Sequence, residues 1–382
     1  MFAIFKTFFL LGWISFGGPA AHIGYFRQTF VEKRKWLDDA DYAQLVALSQ
    51  FLPGPGSSQV GFALGYKRGG LGGACAAFVG FTLPSVIIMV ALALMASQVT
   101  DTSVFQNLVH GLKLLAIVVV ADAAWGMYKN FCQSRLTVSL CLGTAIALLL
   151  LPGIATQMAV LLLAALIGVL YLKGQAQPNA DSTAFKASWL PLLIFVGLFI
   201  ALPFVAHLNP STALFNDFYQ AGSLVFGGGH VVLPLLQNIV GDSLTQDTFL
   251  TGYAAAQAVP GPMFTFATYL GYALMPANPI AGALIATLAV FLPGFLLLLG
   301  VLKNWQLLAS RPAVAGALSG VNAAVVGLLV AALYQPVFTS AATSAQDIAL
   351  VLVGFYLLKH LKLHIVWLVA TFMLAGVIMG LI

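Results

Sequence analysis

The chain has 382 residues, of which 61% are hydrophobic and only 7% charged, with a mean hydropathy of +0.99. No soluble core needs so much apolar surface with so few charges, so the composition excludes a water-soluble domain and defines a polytopic membrane protein. The net charge of +5 does not indicate nucleic acid, because the 16 Lys and Arg lie mainly in short loops between apolar stretches, where they report insertion orientation.

In chain order the apolar stretches are 74–96, 104–128, 136–151, 155–172, 189–206, 283–302, 313–334, 347–358 and 365–382. Most approach the ~20 residues that carry a helix across a bilayer. They are continuous runs rich in Leu, Ala, Val and Gly, without the alternation of a β-barrel, so the predicted fold class is an all-α polytopic membrane protein. The first sixteen residues, with Lys6 in an apolar run, look like a signal peptide, but their pattern recurs at 212–226 and assigns them to the fold. Segments 2–31 and 212–240 are predicted as broken or re-entrant helices that turn back at their glycines, with a full crossing compensated elsewhere as the alternative. Cys75, Cys132 and Cys141 have no metal-like spacing, and no disulfide, metal site or cofactor is expected.

Sliding the sequence against itself at an offset of 207–210 aligns almost all of it. SFGGPAAH at 15–22 faces VFGGGHVV at 225–232, and SQFLPGP at 49–55 faces AQAVPGP at 256–262. ALGY at 63–66 faces YLGY at 269–272, Pro84 faces Pro293, and HGLKLL at 110–115 faces SGVNAA at 319–324; the closing segments 136–172 and 346–382 match in hydropathy alone. Loops that are basic in one half, around Lys33 to Lys35, Lys67 and Lys129, are neutral or acidic in the other. Lys303, Arg311, Lys359 and Lys362 sit where the first half is neutral. By the positive-inside rule the halves lie upside down relative to one another, the arrangement of many secondary transporters. Residues 1–172 are then a first repeat, 173–188 a cytoplasmic linker, 189–207 an extra transmembrane helix that permits inversion, and 208–382 the second repeat. The N-terminus falls in the cytoplasm and the C-terminus outside.

Within hydrocarbon every backbone N–H and C=O needs a partner, so Gly-Gly and Pro-Gly-Pro interruptions mark places surrounded by protein or by a water-filled cavity. A helix restarting after such a break also presents free N–H groups and a partial positive charge, suited to an anion. The candidate substrate-binding positions are therefore Gly17, Gly18, Pro19, Gln50, Pro53, Gly54, Pro55 and Gly56. In the second half they are Gly227, Gly228, Gly229, Gln257, Pro260, Gly261 and Pro262. Packing kinks are the competing reading of the same glycines. Lys113 lies nine residues from either end of the span 104–122, and its counterpart Asn322 is also polar, which suits an anion between the repeats. A Lys that pairs with a carboxylate or reaches an interface is the alternative. Asp122 falls on the opposite helical face from Lys113 and is a proton carrier or an interfacial residue. His22 and His230 follow the Gly-rich breaks and are proton-coupling candidates beside a packing role. Arg27 draws anions to the entrance or anchors the cytoplasmic side.

The run FGGPAAHIGYFRQTFVEKRKWLDDADYAQLVALSQFLPGPGSSQVGFALGYKRGGLGGACAAFVGFTLP at 16–84 closely resembles the chromate ion transporter family, and FGGGH with AQAVPGPMFTFATYLGY is a diverged second copy. Together they cover essentially the whole chain, as in the family's long, two-domain form. The resemblance implies proton-motive-force-driven efflux of chromate, with sulfate as the similar tetrahedral dianion, and places the functional expectation on Gly17, Gly18, Pro19, Pro53, Gly54 and Pro55. Gly229 replaces Pro19 in the second copy, so the halves need not contribute equally. The expected partners are chromate or sulfate, protons and the lipid bilayer of the inner (cytoplasmic) membrane, with a homodimer as the candidate assembly. A passive anion channel, or a carrier of another inorganic or organic anion, is the alternative function. An enzyme would need a catalytic cluster, and the sequence offers neither a His-Glu-x-x-His motif nor a nucleophile elbow.

Overall fold

The computed structural model describes residues 1–16, 18–99, 103–172, 188–226, 232–240, 243–303 and 311–381, and among these every regular element is helical. The first half comprises α1 (Phe2–Ile14), α2 (Gly18–Phe26, continued by a π-helical turn Arg27–Lys33), α3 (Asp39–Phe51), α4 (Gly56–Val99), α5 (Ser103–Phe131), α6 (Arg135–Leu150) and α7 (Ile154–Tyr171). After α8 (Trp189–Val205) come α9 (Pro210–Leu224), α10 (Val232–Val240), α11 (Gln246–Ala258), α12 (Phe266–Leu274) and α13 (Pro279–Val301). The chain closes with α14 (Pro312–Ala332), α15 (Ala345–Lys359) and α16 (Ile365–Met379). The linker 173–187 lies outside the described residues.

Among the described residues, five helices are long and apolar enough to cross a membrane: Gly56–Ala96, Gln106–Phe131, Trp189–Leu208, Pro279–Val301 and Pro312–Ala341. The first of these is bent. Gly69 and Gly70 leave helical geometry, and Gly70 takes a φ of 59°. The limbs 56–68 and 71–99 fold back on each other so closely that a Cβ on Gly65 would overlap the Gly73 carbonyl. Lys67 and Arg68 thus sit beside the bend, as the basic loop predicts. Only 6% of the apolar window of α8 is buried, so this linking helix exposes its apolar side chains around nearly its whole girth.

Helix starts follow local chemistry. Asp38 caps α3 by accepting from the Asp41 N–H, and Ser134 with Thr137 and Ser344 with Asp347 form capping boxes at α6 and α15. One boundary differs from expectation. The sequence 123–131 stays helical, so α5 runs on to Phe131 and Lys113 lies in its first half rather than at its centre.

Small residues set the closest helix contacts, as expected where lipid supplies no hydrophobic drive between helices. A Cβ on Gly111 of α5 would overlap the Phe372 carbonyl of α16, and one on Gly320 of α14 would overlap the Ala164 carbonyl of α7. The helix carrying HGLKLL therefore packs on the last helix of the chain, and the helix carrying SGVNAA packs on the last helix before the linker. Between α4 and α13 lies an aromatic core, with Phe62 stacked on Phe295 at 4.2 Å and Phe78 at 5.1 Å from Phe291.

Candidate functional site

The helical backbone stops at Phe51 and resumes at Gly56, because Pro53 and Pro55 donate no hydrogen bond and Gly54 takes a φ of +117°. The second break has the same form, with Gly261 at a φ of +95° between Pro260 and Pro262. The Gly54 N–H donates to the Val225 carbonyl (2.7 Å), and the Gly261 N–H donates to the Ser15 carbonyl (2.8 Å). Ser15 and Val225 immediately precede the two Phe-Gly-Gly breaks. Each Pro-Gly-Pro turn is thus hydrogen-bonded to the Gly-rich break of the other half, so these two amides are spent on protein carbonyls in this state.

Further side-chain bonds fix each turn and cross between the halves. The Gln59 amide Nε2 donates to both the Pro53 and Gly294 carbonyls (2.9 and 3.0 Å), and the Ser85 hydroxyl donates to the Pro260 carbonyl (2.5 Å). Ser85 follows Pro84 and Gly294 follows Pro293, the matched intrahelical prolines. The Pro55 carbonyl accepts the Gln59 N–H, and the Pro262 carbonyl accepts from the Thr265 backbone and hydroxyl. Gln59 and Ser85 carry these contacts, although neither stood out in the sequence. For Gln59 the signal was a polar residue in the first turn after the break, and for Ser85 a polar residue behind an intrahelical proline.

His22, in α2, is fully buried. Its Nε2 lies 3.1 Å from the Ser15 carbonyl and its Nδ1 3.1 Å from the Ser57 hydroxyl. A carbonyl only accepts, so the proton sits on Nε2 and Nδ1 accepts from Ser57. The Ser15 carbonyl thereby receives both His22 and Gly261, tying α2 to the second break. Buried beside this region are Ser15 Oγ, Ser58 Oγ, Gln59 Oε1 and Thr82 Oγ1, none bonded to protein. Gly18 has a φ of 74° at the start of α2, followed by Pro19. Gly17, Gly227, Gly228, Gly229 and His230 lie outside the described residues.

A cavity of about 510 Å³ reaches the first break from its α3 side. Gln50 and Phe51 line it together with Asn130, Gln133, Ser134 and Thr137 from the α5–α6 corner and Ser319 and Asn322 from α14. Two predicted residues, Gln50 and Asn322, therefore share one chamber. Among the described residues its polar side chains are neutral amides and hydroxyls, with no charged side chain in the lining.

Lys113 lies elsewhere, 13% exposed and paired with Asp247 in the first turn of α11 (2.7 Å). One turn away along α5, His110 Nε2 meets Asp347 Oδ1 at 2.6 Å, and the Asp347 side chain is 1% exposed. Neither His110 nor either aspartate stood out in the sequence, since Asp247 and Asp347 sit at loop ends where a carboxylate draws no notice. Asp122 pairs with Lys359 and not with Lys113, in agreement with their opposite helical faces. Arg27 is held by Asp39 and Glu32 (2.8 and 2.6 Å) on the surface, and the Gln257 side chain is hydrogen-bonded to Tyr253.

Interrupted helices that meet across two halves, beside a polar chamber inside the bundle, define a polytopic helical membrane protein with the anatomy of a carrier. The chromate transporter family model matches residues 2–169 and again 212–380, and the chain belongs to this family. It is 30% identical to a chromate transport protein of Cupriavidus metallidurans over 97% of this chain and 91% of that protein. It is also 30% identical to a probable chromate transport protein of Synechococcus elongatus, over 86% of this chain and 82% of the relative. An uncharacterized transporter of Methanocaldococcus jannaschii shares 27% identity over 86% of this chain and 82% of its own length. No solved structure matches.

Proposed function

We propose that the chain is a secondary transporter that exports chromate from the cytoplasm across the inner membrane, driven by the proton-motive force, with sulfate as a second tetrahedral dianion. The observation that carries the reading is the reciprocal bonding of the breaks, Gly54 to Val225 and Gly261 to Ser15. Two interrupted segments that hold each other through backbone bonds form a pivot at the centre of the bundle, and inverted-repeat carriers place their substrate sites at such repeat interfaces.

Inversion of the halves has support from contacts along α5. α3 shares the chamber with the C-terminal end of α5 at Asn130 and Phe131, whereas its counterpart α11 meets the N-terminal half of α5 through Asp247 and Lys113. Equivalent segments on opposite ends of one long helix are what a half-turn about an axis in the membrane plane produces. The chamber, bordered in sequence by Lys129, Arg135 and Arg311, then faces the cytoplasm by the positive-inside rule. Amide and hydroxyl donors from Gln50, Asn130, Gln133, Ser134, Thr137, Ser319 and Asn322 suit an oxyanion, whose oxygens are all acceptors. Outside the chamber lining, α4 restarts behind the break with the N–H groups of Gly56, Ser57 and Ser58 at the positive end of its dipole.

Uptake of radiolabelled chromate or sulfate into inverted membrane vesicles, with and without an imposed pH gradient, tests the proposal. The expected result is saturable accumulation that collapses with the gradient. No accumulation of either anion would remove the reading, and gradient-independent current would replace it with a channel.

A further inference from the structure

At the repeat register of the sequence, the chamber residues Ser319, Asn322 and Gln50 correspond to His110, Lys113 and Gln257. Thr137 corresponds to Asp347, since the capping boxes Ser134–Thr137 and Ser344–Asp347 open the matching helices α6 and α15. The first set surrounds an open chamber. In the second set His110 is hydrogen-bonded to Asp347 and Lys113 is paired with Asp247, each contact linking α5 of the first half to a helix of the second. The other long helices packed on α5, namely α14 and α16, contribute no charged residue, so among the described residues Lys113 and His110 each meet one carboxylate.

We infer that Lys113 and His110 form a second oxyanion station on the transport path, on the side opposite the chamber, and that Asp247 and Asp347 occupy and close it in this state. The inference rests on the reading of the chain as an oxyanion carrier. A carboxylate and a tetrahedral oxyanion present the same kind of acceptor to a cation, so one replaces the other without leaving a buried charge unpaired. Both aspartates are also equipped to let go. Asp347 keeps bonds from the Thr343 N–H, the Thr343 hydroxyl and the Ser344 N–H (2.9, 3.2 and 2.8 Å), at the positive end of α15. Asp247 is 66% exposed and sits in the first turn of α11, where water and the helix dipole support it. When α11 and α15 move away from α5, the Lys113 ammonium and the His110 N–H pass to the departing dianion. When the helices return, the carboxylates displace it.

The test uses the full-length chain in membrane vesicles, with Cys75→Ser, Cys132→Ala and Cys141→Ala as background and a single reporter, Gln257→Cys or Gln50→Cys. A membrane-impermeant thiol reagent is applied to either face. Gln50→Cys reacts from the chamber side and Gln257→Cys reacts slowly from the other. Adding Asp247→Asn with Asp347→Asn raises the Gln257→Cys rate by about tenfold and slows Gln50→Cys, as a shift between two states requires. Sulfate then protects Gln257→Cys, and the further changes Lys113→Met and His110→Gln abolish that protection. An unchanged Gln257→Cys rate would overturn the closure, and opening without sulfate protection would overturn the anion station. If Asp347→Asn impairs folding, Asp247→Asn alone, at an exposed carboxylate, is read by the same outcomes. Labelling needs no transport of chromate, so a chain that passes here yet moves no chromate keeps its gate and loses the proposed substrate.

Discussion

Gly54 and Gly261 hold φ angles that L-residues reach only with strain, and a Cβ on Gly54 would lie 2.9 Å from the Gly294 Cα. The left-handed conformation alone costs a non-glycine residue about 1–2 kcal/mol. Either Gly54→Ala or Gly261→Ala should therefore lower the thermal unfolding midpoint in detergent and reduce transport, while Gly24→Ala, where nothing lies within 4 Å, should change neither. His22→Ala leaves the Ser57 hydroxyl without its acceptor and removes one of two donors to Ser15, at a cost of about 1–3 kcal/mol. A lower midpoint with intact proton dependence would mark His22 as a tie, whereas lost proton dependence at unchanged stability would mark it as a carrier. Asp122 differs, since its partner Lys359 is half exposed and such pairs contribute under about 1 kcal/mol. Asp122→Asn should keep transport and its gradient dependence, and loss of that dependence in the vesicle assay would assign Asp122 the proton. Gln50 and Asn322 were legible in the sequence because recurrence marked them. The pairing of Lys113 with Asp247 was not, because it joins residues more than a hundred positions apart and a single sequence carries no sign of which carboxylate a buried cation meets.

At the scale of elements, the glycines of HGLKLL and SGVNAA bring α5 onto α16 and α14 onto α7 with backbone almost touching backbone. Gly111→Val and Gly320→Val should each destabilise the protein by about 1–3 kcal/mol through overpacking, read as a lower thermal midpoint and loss of monodispersity. Gly126→Ala, on the same helix as Gly111 but with nothing within 4 Å, is the control and should be silent. Apolar run length marked most of the helices, and the Gly-Gly and Pro-Gly-Pro steps marked where they break. The apolar stretch 104–128 nearly reached the end of α5, but the span 104–122 taken around Lys113 stopped short, because Lys129 and Asn130 lower hydropathy without stopping a helix. The bend of α4 was legible only as a basic loop, since nothing local to Lys67 and Arg68 states that the limbs fold back to contact.

For the whole molecule, each Pro-Gly-Pro turn is bonded to the residue before the Gly-rich break of the other half, and the proposed arrangement is a pair of halves set upside down. The loop charges are what the proposed orientation rests on in the sequence, because insertion bias is written into loop composition. The docking was not readable, because backbone hydrogen bonds between segments two hundred residues apart carry no local code. The most direct test uses two reporters at matching positions, Arg34→Cys after α2 and Ser243→Cys after α10, in the cysteine-free background. Both positions are exposed, so an impermeant thiol reagent reaches whichever face each occupies. The account predicts that Arg34→Cys reacts only in inverted vesicles and Ser243→Cys only in right-side-out vesicles; reaction of both from one face would contradict it.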